Sequence, residues 1–335
     1  MSISTLVNKY GEKYSPYMCG IVNHLPMAQI ALYKMTGDLR RVEEFTKDHV
    51  KRYKLDPVKE AYPTVNSIDD CLGQRSKYES YLDVLKSDIS SFNAEEYARE
   101  ILNVYDLGIS SGLFHPLIRV KHAIDGYNLD KSSVDEIKRA LSYYITSYRQ
   151  GDIFRDKTDA KDLKGKIEEL ARDKRLRELV ASEKTTGKKL RALYNDSQYL
   201  RSDLIVDGNR DEKVESLLNI LLPVFINSGN LIALHCITGL EALLSLEDYY
   251  NDFNRALDIF TTTAVTHLMT LDEIDLRARK VDDIEFSWNY ILNLGTASRD
   301  VHNIKFTYSC YEISKSYPMR DLKRATLKRV NRYSP

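Results

Sequence analysis

Residues 231–246 read LIALHCITGLEALLSL. Apolar residues fall on nearly every side of a helix drawn through this stretch, so the helix is buried all round rather than along one stripe. It is shorter than the ~20 residues a membrane span requires, and it carries His235 and Glu241, so it reads as a core helix. The stretch before it, 217–226 (LLNILLPVFI), is equally apolar and is interrupted by Pro223. A core built on such helices sets the expectation for the rest of the chain.

Working outward, Gly (14) and Pro (8) are scarce in the 335 residues, and the segments between them repeat with helical rather than alternating period. The reading is an all-α fold, one multi-helix domain over 1–335. Pro26 opens an apolar-periodic segment (Ala28, Ala31, Leu32, Met35) that stops at Gly37, and Asp38 stands where the next helix needs its N-cap. Further helices are expected near 75–88, 94–108, 113–126, 132–149, 160–181, 213–226, 230–247, 249–269 and 284–315, the last broken near Gly295. A charged excursion at about 156–212, densest in Lys, Arg, Asp and Glu from 156 to 189, reads as solvated helix supported by i,i+4 pairs.

Charge excludes some functions. Lys+Arg and Asp+Glu are both 49, so the net charge is zero, and no basic excess marks a nucleic-acid or anionic-membrane surface. The N-terminal residues MSISTLVNKYGEKYSPY lack a basic stretch leading to an apolar core, so the expectation is a cytoplasmic protein. Cys19, Cys71, Cys236 and Cys310 are far apart and lack a C-x-x-C pair, which fits free thiols. Gly108 to Gly112 matches G-x-S-x-G, but a helical segment precedes it where a nucleophile elbow needs a strand. G-x-G-x-x-G, Walker A, H-E-x-x-H and Glu-x-x-His are absent.

Seven histidines remain. His235 lies in the buried helix, and Thr238, Gly239 and Ala242 on its face are small. Those residues either leave room for a metal or ligand or admit a neighbouring helix around a satisfied core histidine. His115, Ile118, Arg119 and His122 share one helix face that a metal or anionic substrate could use, or that could be a half-exposed polar face. His302 and Lys305 lie one turn apart. His24 stands at a helix entry. His49, in TKDHVKRYK, reads as solvated, and His267 as structural.

Taken together, Asn23 to Ala28 (NHLPMA), Gly112 to Arg119 (GLFHPLIR), Leu234 to Gly239 (LHCITG), Trp288 and Asp300 to Lys305 (DVHNIK) resemble, in order and wording, the questin oxidase-like family. The blocks span nearly the whole chain. The resemblance implies an all-α oxygenase that opens quinone or polycyclic aromatic rings with O2, through a non-haem iron held largely by histidine. Carried over residue by residue, the set is His24, His115, His235 and His302. Lys305 beside a dication must point away, bind an anionic substrate or be carboxylated to a carbamate ligand, and the carbamate is the favoured expectation. Arg119, His122, Asp300 and Trp288 are expected around the site or the substrate.

Fe(II) is the metal the resemblance implies, and the ligand chemistry is consistent with it: imidazole suits Fe(II), and four imidazoles leave octahedral positions open. An external reductant such as NADPH fits the scheme, whereas flavin and haem do not. The expected reaction inserts oxygen next to a ring carbonyl, with a Baeyer–Villiger-like outcome, and the 23 Tyr offer aromatic walls. Two other readings stand beside this one: a helical binding or scaffold protein, which would hold no metal, and a metal-dependent hydrolase, which usually shows a His-Asp dipeptide absent here. The oligomeric state is not legible.

Overall fold

The computed structural model describes residues 1–18, 22–277 and 286–332. The chain begins with α1 (Ile3–Gly11), α2 (Leu25–Thr36), α3 (Leu39–Arg52), α4 (Tyr78–Asp88), α5 (Ala94–Val104), α6 (His115–Leu129) and α7 (Val134–Thr146). The charged segment then holds β1 (Asp156–Thr158), α8 (Leu163–Arg172), α9 (Lys174–Ala181), α10 (Thr186–Asn195), α11 (Ser197–Leu200) and β2 (Asp203–Val206). Last come α12 (Arg210–Ser228), α13 (Leu231–Ser245), α14 (Phe253–Met269), α15 (Trp288–Ala297), α16 (Val301–Ser316) and α17 (Arg320–Arg332). The fold is all-α, as expected, with one short parallel strand pair.

Local chemistry sets the helix ends. Pro26 occupies the first turn of α2, where its missing N–H costs nothing, and Gly37 closes that helix in the left-handed region (φ 64°). The Asp38 carboxylate accepts from the Arg40 and Arg41 amides and starts α3. Asn209 and Glu212 form a capping box on α12, and Asn230 caps α13 by accepting from the Ile232 amide at 2.7 Å. The break expected near Gly295 falls at 298–300, between α15 and α16. Gly295 itself stays helical, and its lack of a side chain lets α15 approach α16, since a Cβ there would run into Thr307. Residues 284 and 285 of the expected final helix, and Cys19, lie outside the described residues. Cys71, Cys236 and Cys310 are free and buried.

Four helices frame the centre: α13 packs on α6 and α16, and α2 packs on the same two. Helix α7 backs α6, α12 backs α13, and α15 and α17 cover α16. The charged segment is not simply solvated. Leu163, Ile167, Leu176, Leu193, Tyr199, Leu204 and Val206 are buried in the main core. The strand pair adds a turn of structure that helical periodicity did not reveal. His49 also departs from expectation: it is 4% exposed, with its ring between Phe45 (5.7 Å) and Tyr53 (4.6 Å). Val42, Phe45, Thr46 and His49 form the inward stripe of α3, which the surrounding charges disguise in the sequence. No helix among the described residues is long and apolar enough to cross a membrane.

Candidate metal centre

Each of the four framing helices delivers one histidine to the same place. His24 directly precedes α2, His115 and His302 lie in the first turns of α6 and α16, and His235 is in the second turn of α13. The rings of His24 and His115 are 4.7 Å apart between centroids, His115 and His235 4.4 Å, His235 and His302 5.3 Å, and His302 and His24 4.7 Å. Four residues spread over nearly 280 positions of sequence thus close into a ring of imidazoles.

The backbone fixes how those rings face. His115 Nδ1 donates to the Gly112 carbonyl at 2.5 Å, and His235 Nδ1 donates to the Leu231 carbonyl at 2.6 Å. In both, the proton is held on Nδ1, which leaves the Nε2 lone pair of His235 free to ligate and that of His115 to accept from His24 Nε2. His302 Nδ1 lies 3.7 Å from Asp300 Oδ1. That carboxylate also accepts from the His302 and Asn303 amides and from Arg329, so it caps α16 and positions the ring together. Asp300 therefore lies behind the histidine. Gly112 (φ 53°), Leu113 (φ 59°) and Phe114 (φ 63°) form a run in the left-handed region just before α6. Leu and Phe are strained there, and the run is what turns the Gly112 carbonyl onto His115.

His24 Nε2 and His115 Nε2 approach to 2.7 Å, while His235 Nε2 is buried and has no hydrogen-bond partner among the described residues. The ligating atoms of His24, His235 and His302 lie within 4.8 Å of one another, and small ring shifts would bring them to the separation of at most about 4 Å that one ion with nitrogen bonds of about 2 Å requires. An orphaned buried lone pair facing other imidazoles fits a borderline cation such as iron.

Lys305, one turn beyond His302 on α16, is 1% exposed, and its Nζ also finds no partner among the described residues. Burial lowers its ammonium to about 7, against a weaker opposing pull from Asp300. Burial and the nearby Lys305 charge hold His24 well below an ordinary histidine, and the same two causes take His115 down to about 3. Burial also lowers His235 and His302. The rings are neutral at pH 7, the form that binds metal.

The other expected residues go elsewhere. The stripe on α6 does not converge on one ligand: Arg119 turns to Glu136, and His122 turns towards Tyr308, 5.7 Å away, and Asp125. His122 is fully buried rather than half-exposed. Trp288 packs edge-on against Tyr311 at 5.5 Å. The space expected beside Gly239 is filled, since a Cβ there would meet the Phe114 ring at 2.8 Å, so this glycine admits a neighbour rather than a ligand. His267 is structural, packed at 5.5 Å from that same Phe114. Sequence reading missed the carbonyls that orient His115 and His235. The only sequence signal for one of them was the glycine at 112, three residues before a histidine.

A family model described as questin oxidase-like matches residues 21–310 of the 335. No curated protein matches the chain significantly. The family's name denotes an oxidase, and hence an oxidoreductase.

Proposed function

The chain belongs to the questin oxidase-like family, and we propose that it is a non-haem iron oxygenase that uses O2 to oxidise and open a quinone or polycyclic aromatic ring. The observation that carries this reading is the ring of four neutral imidazoles, one from each framing helix and His302 alone of them partly exposed, with His235 Nε2 and the nearby Lys305 Nζ unpaired among the described residues. His24, His115, His235 and His302 would hold the metal. Iron bound there supplies one-electron chemistry towards O2 that no side chain provides.

The protein's own part is orientation and charge. The Gly112 and Leu231 carbonyls and Asp300 fix three imidazoles, so the ligand set is assembled before the metal arrives. Four neutral imidazoles leave a dication uncompensated in a buried site, and Lys305 can correct this. With an ammonium near 7, a substantial fraction is free amine at neutral pH. The amine nitrogen adds to CO2, releases one proton to solvent and becomes a carbamate whose anionic oxygen can face the histidines. Without CO2, the same side chain is a neutral amine that accepts a proton within the site.

The test is turnover. Untagged protein reconstituted anaerobically with Fe(II) is challenged with anthraquinones and naphthohydroquinones under 18O2, with and without NADPH. The reading predicts 18O in a ring-opened product and its loss in His235→Ala. Absence of O2 consumption by the iron-loaded protein across the panel counts against it, and then the helical binding-protein reading takes its place.

A further inference from the structure

Helix α17 lies wholly beyond residue 310, where the family match ends. Its buried stripe is Leu322, Ala325, Thr326, Arg329 and Val330, the spacing of one helix face. Arg329 is the charged member, 3% exposed, and a guanidinium in that position is costly unless a carboxylate offsets its lost hydration. One such partner is Asp300, whose Oδ1 accepts from Arg329 Nη2 at 3.1 Å.

That oxygen also has neighbours on α16 itself. The His302 and Asn303 amides donate to it at 2.7 and 3.0 Å, as at any aspartate N-cap, and His302 Nδ1 lies 3.7 Å away. The helix cap and the edge of the imidazole thus share one atom. The Asp300 side chain is 29% exposed, so water competes for it, whereas the Arg329 side chain is 4% exposed and packed in place.

Two other arginines at this turn have a different task. Arg41 donates to the Thr296 carbonyl at 2.7 and 2.9 Å and to the Ser298 carbonyl at 2.8 Å, and Arg52 donates to the Arg299 carbonyl at 2.9 Å while pairing with Asp48. These two, both from α3, fix the main chain between α15 and α16. Arg329 fixes the carboxylate.

We propose that Arg329 is a positioning residue of the metal centre. It holds the Asp300 carboxylate at the Nδ1 edge of His302, which keeps the ring proton on Nδ1 and turns Nε2 towards the other imidazoles. Helix α17 thereby ties a segment outside the family match to the histidine ring. The effect on iron rests on the metal-centre reading above, whereas the orientation of the ring belongs to the metal-free chain as well.

Arg329→Met keeps a long side chain on the buried stripe and removes its charge, and Arg329→Lys keeps the charge. Both are measured in the full chain beside Leu322→Ala, two turns away on the same stripe, by anaerobic Fe(II) titration against a competing chelator and by 15N NMR of the histidine rings in metal-free protein. Arg329→Met should weaken Fe(II) about 10- to 100-fold, the scale of losing the group behind a ligating imidazole, and should move the His302 ring from the Nδ1–H tautomer to a mixture. Arg329→Lys should recover most of the affinity, and Leu322→Ala should lower resistance to urea with the affinity unchanged. Added to Asp300→Asn, Arg329→Met should weaken Fe(II) little further, because it acts through that carboxylate. An Arg329→Met protein with unmutated affinity and unmutated His302 signals, or a Leu322→Ala protein that loses as much affinity, overturns the positioning role and leaves the metal centre standing. If Arg329→Met does not fold, Asp300→Asn decides, and unchanged affinity with unchanged His302 signals overturns the role. Unmutated protein that binds no Fe(II), with a His302 tautomer that still responds to Arg329→Met, overturns the metal centre and leaves the positioning of the ring standing; no binding and no response overturns both.

Discussion

Helices α6, α13 and α16 each carry polar groups into the core at two places, and the two places are built on opposite rules. In the first, His115, His235 and His302 meet His24, and His235 Nε2 and the Nζ of Lys305, one turn beyond His302, have no hydrogen-bond partner among the described residues. In the second, Lys121 of α6 sits between Glu241 of α13 at 2.7 Å and Asp125 at 2.9 Å, over the Tyr308 ring of α16 at 4.2 Å. There Glu241 also accepts from Ser245 and Ser309, and Lys34 reaches Asp125. The first set leaves bonding positions open among the described residues; in the second each charge faces an opposite one, Lys121 Nζ meeting its carboxylates as ion pairs. Neither burial nor one unpaired atom identifies a functional group, since His49 Nδ1 and His267 Nδ1 are unpaired among the described residues too; what sets the first region apart is that its imidazoles converge on one another.

That contrast breaks if both regions respond alike to mutation. Lys121→Ala would leave Glu241 buried against two hydroxyls without its cation, and should cost about 3–5 kcal/mol in denaturant unfolding while iron content stays unchanged. Loss of iron in this variant would mean the two regions are one unit. Stripping metal with a chelator should lower stability by about 3–4 kcal/mol where free Fe(II) had been held at a hundred to a thousand times its dissociation constant. His302→Ala should remove that increment, so that its melting temperature no longer depends on added Fe(II).

Acid sharpens the same comparison among the histidines that lie outside the ring. Burial lowers His49 and His267 to about 4 each. The folded chain keeps these rings neutral down to that pH, whereas the unfolded chain protonates them near 6.5, so stability is full above 6.5 and is lost as the pH falls from 6.5 to 4. Each ring accounts for up to about 3 kcal/mol of that loss. His49→Gln should flatten its share of the slope in metal-free protein, and an unchanged slope would contradict the burial described for α3. The smallest effect belongs to Gly239→Ala, which must displace Phe114 and should cost about 1–3 kcal/mol with iron retained.

These examples also mark what sequence reading could and could not reach. The burial of α13, the Pro26-to-Gly37 helix and the Asp38 cap were legible because each depends on residues a few positions apart. The four histidines were legible through the family's motif blocks, because each sits at or near a helix start in a short, worded context. The stripe of His115, Arg119 and His122 was legible as a stripe but not as three separate environments, because what each faces comes from α7 and α16. The filling of Gly239 by Phe114, the pairing of Lys121 with Glu241 and the β1–β2 pair are contacts between distant segments, and local periodicity carries no trace of them. His49 was misread for a simpler reason: the charges around it in TKDHVKRYK hide a stripe of Val42, Phe45 and Thr46.

The central claim is that the imidazole ring is a metal centre, and its most direct test is metal content. Mass spectrometry on untagged protein is run beside His24→Ala, His115→Ala, His235→Ala, His302→Ala and Lys121→Ala. The account predicts about one iron per chain in the unmutated protein and in Lys121→Ala, and its loss in the four histidine variants, as expected for removal of a ligand from a nitrogen site. Protein that takes up no metal after anaerobic Fe(II) reconstitution, or histidine variants that keep it, would contradict the claim.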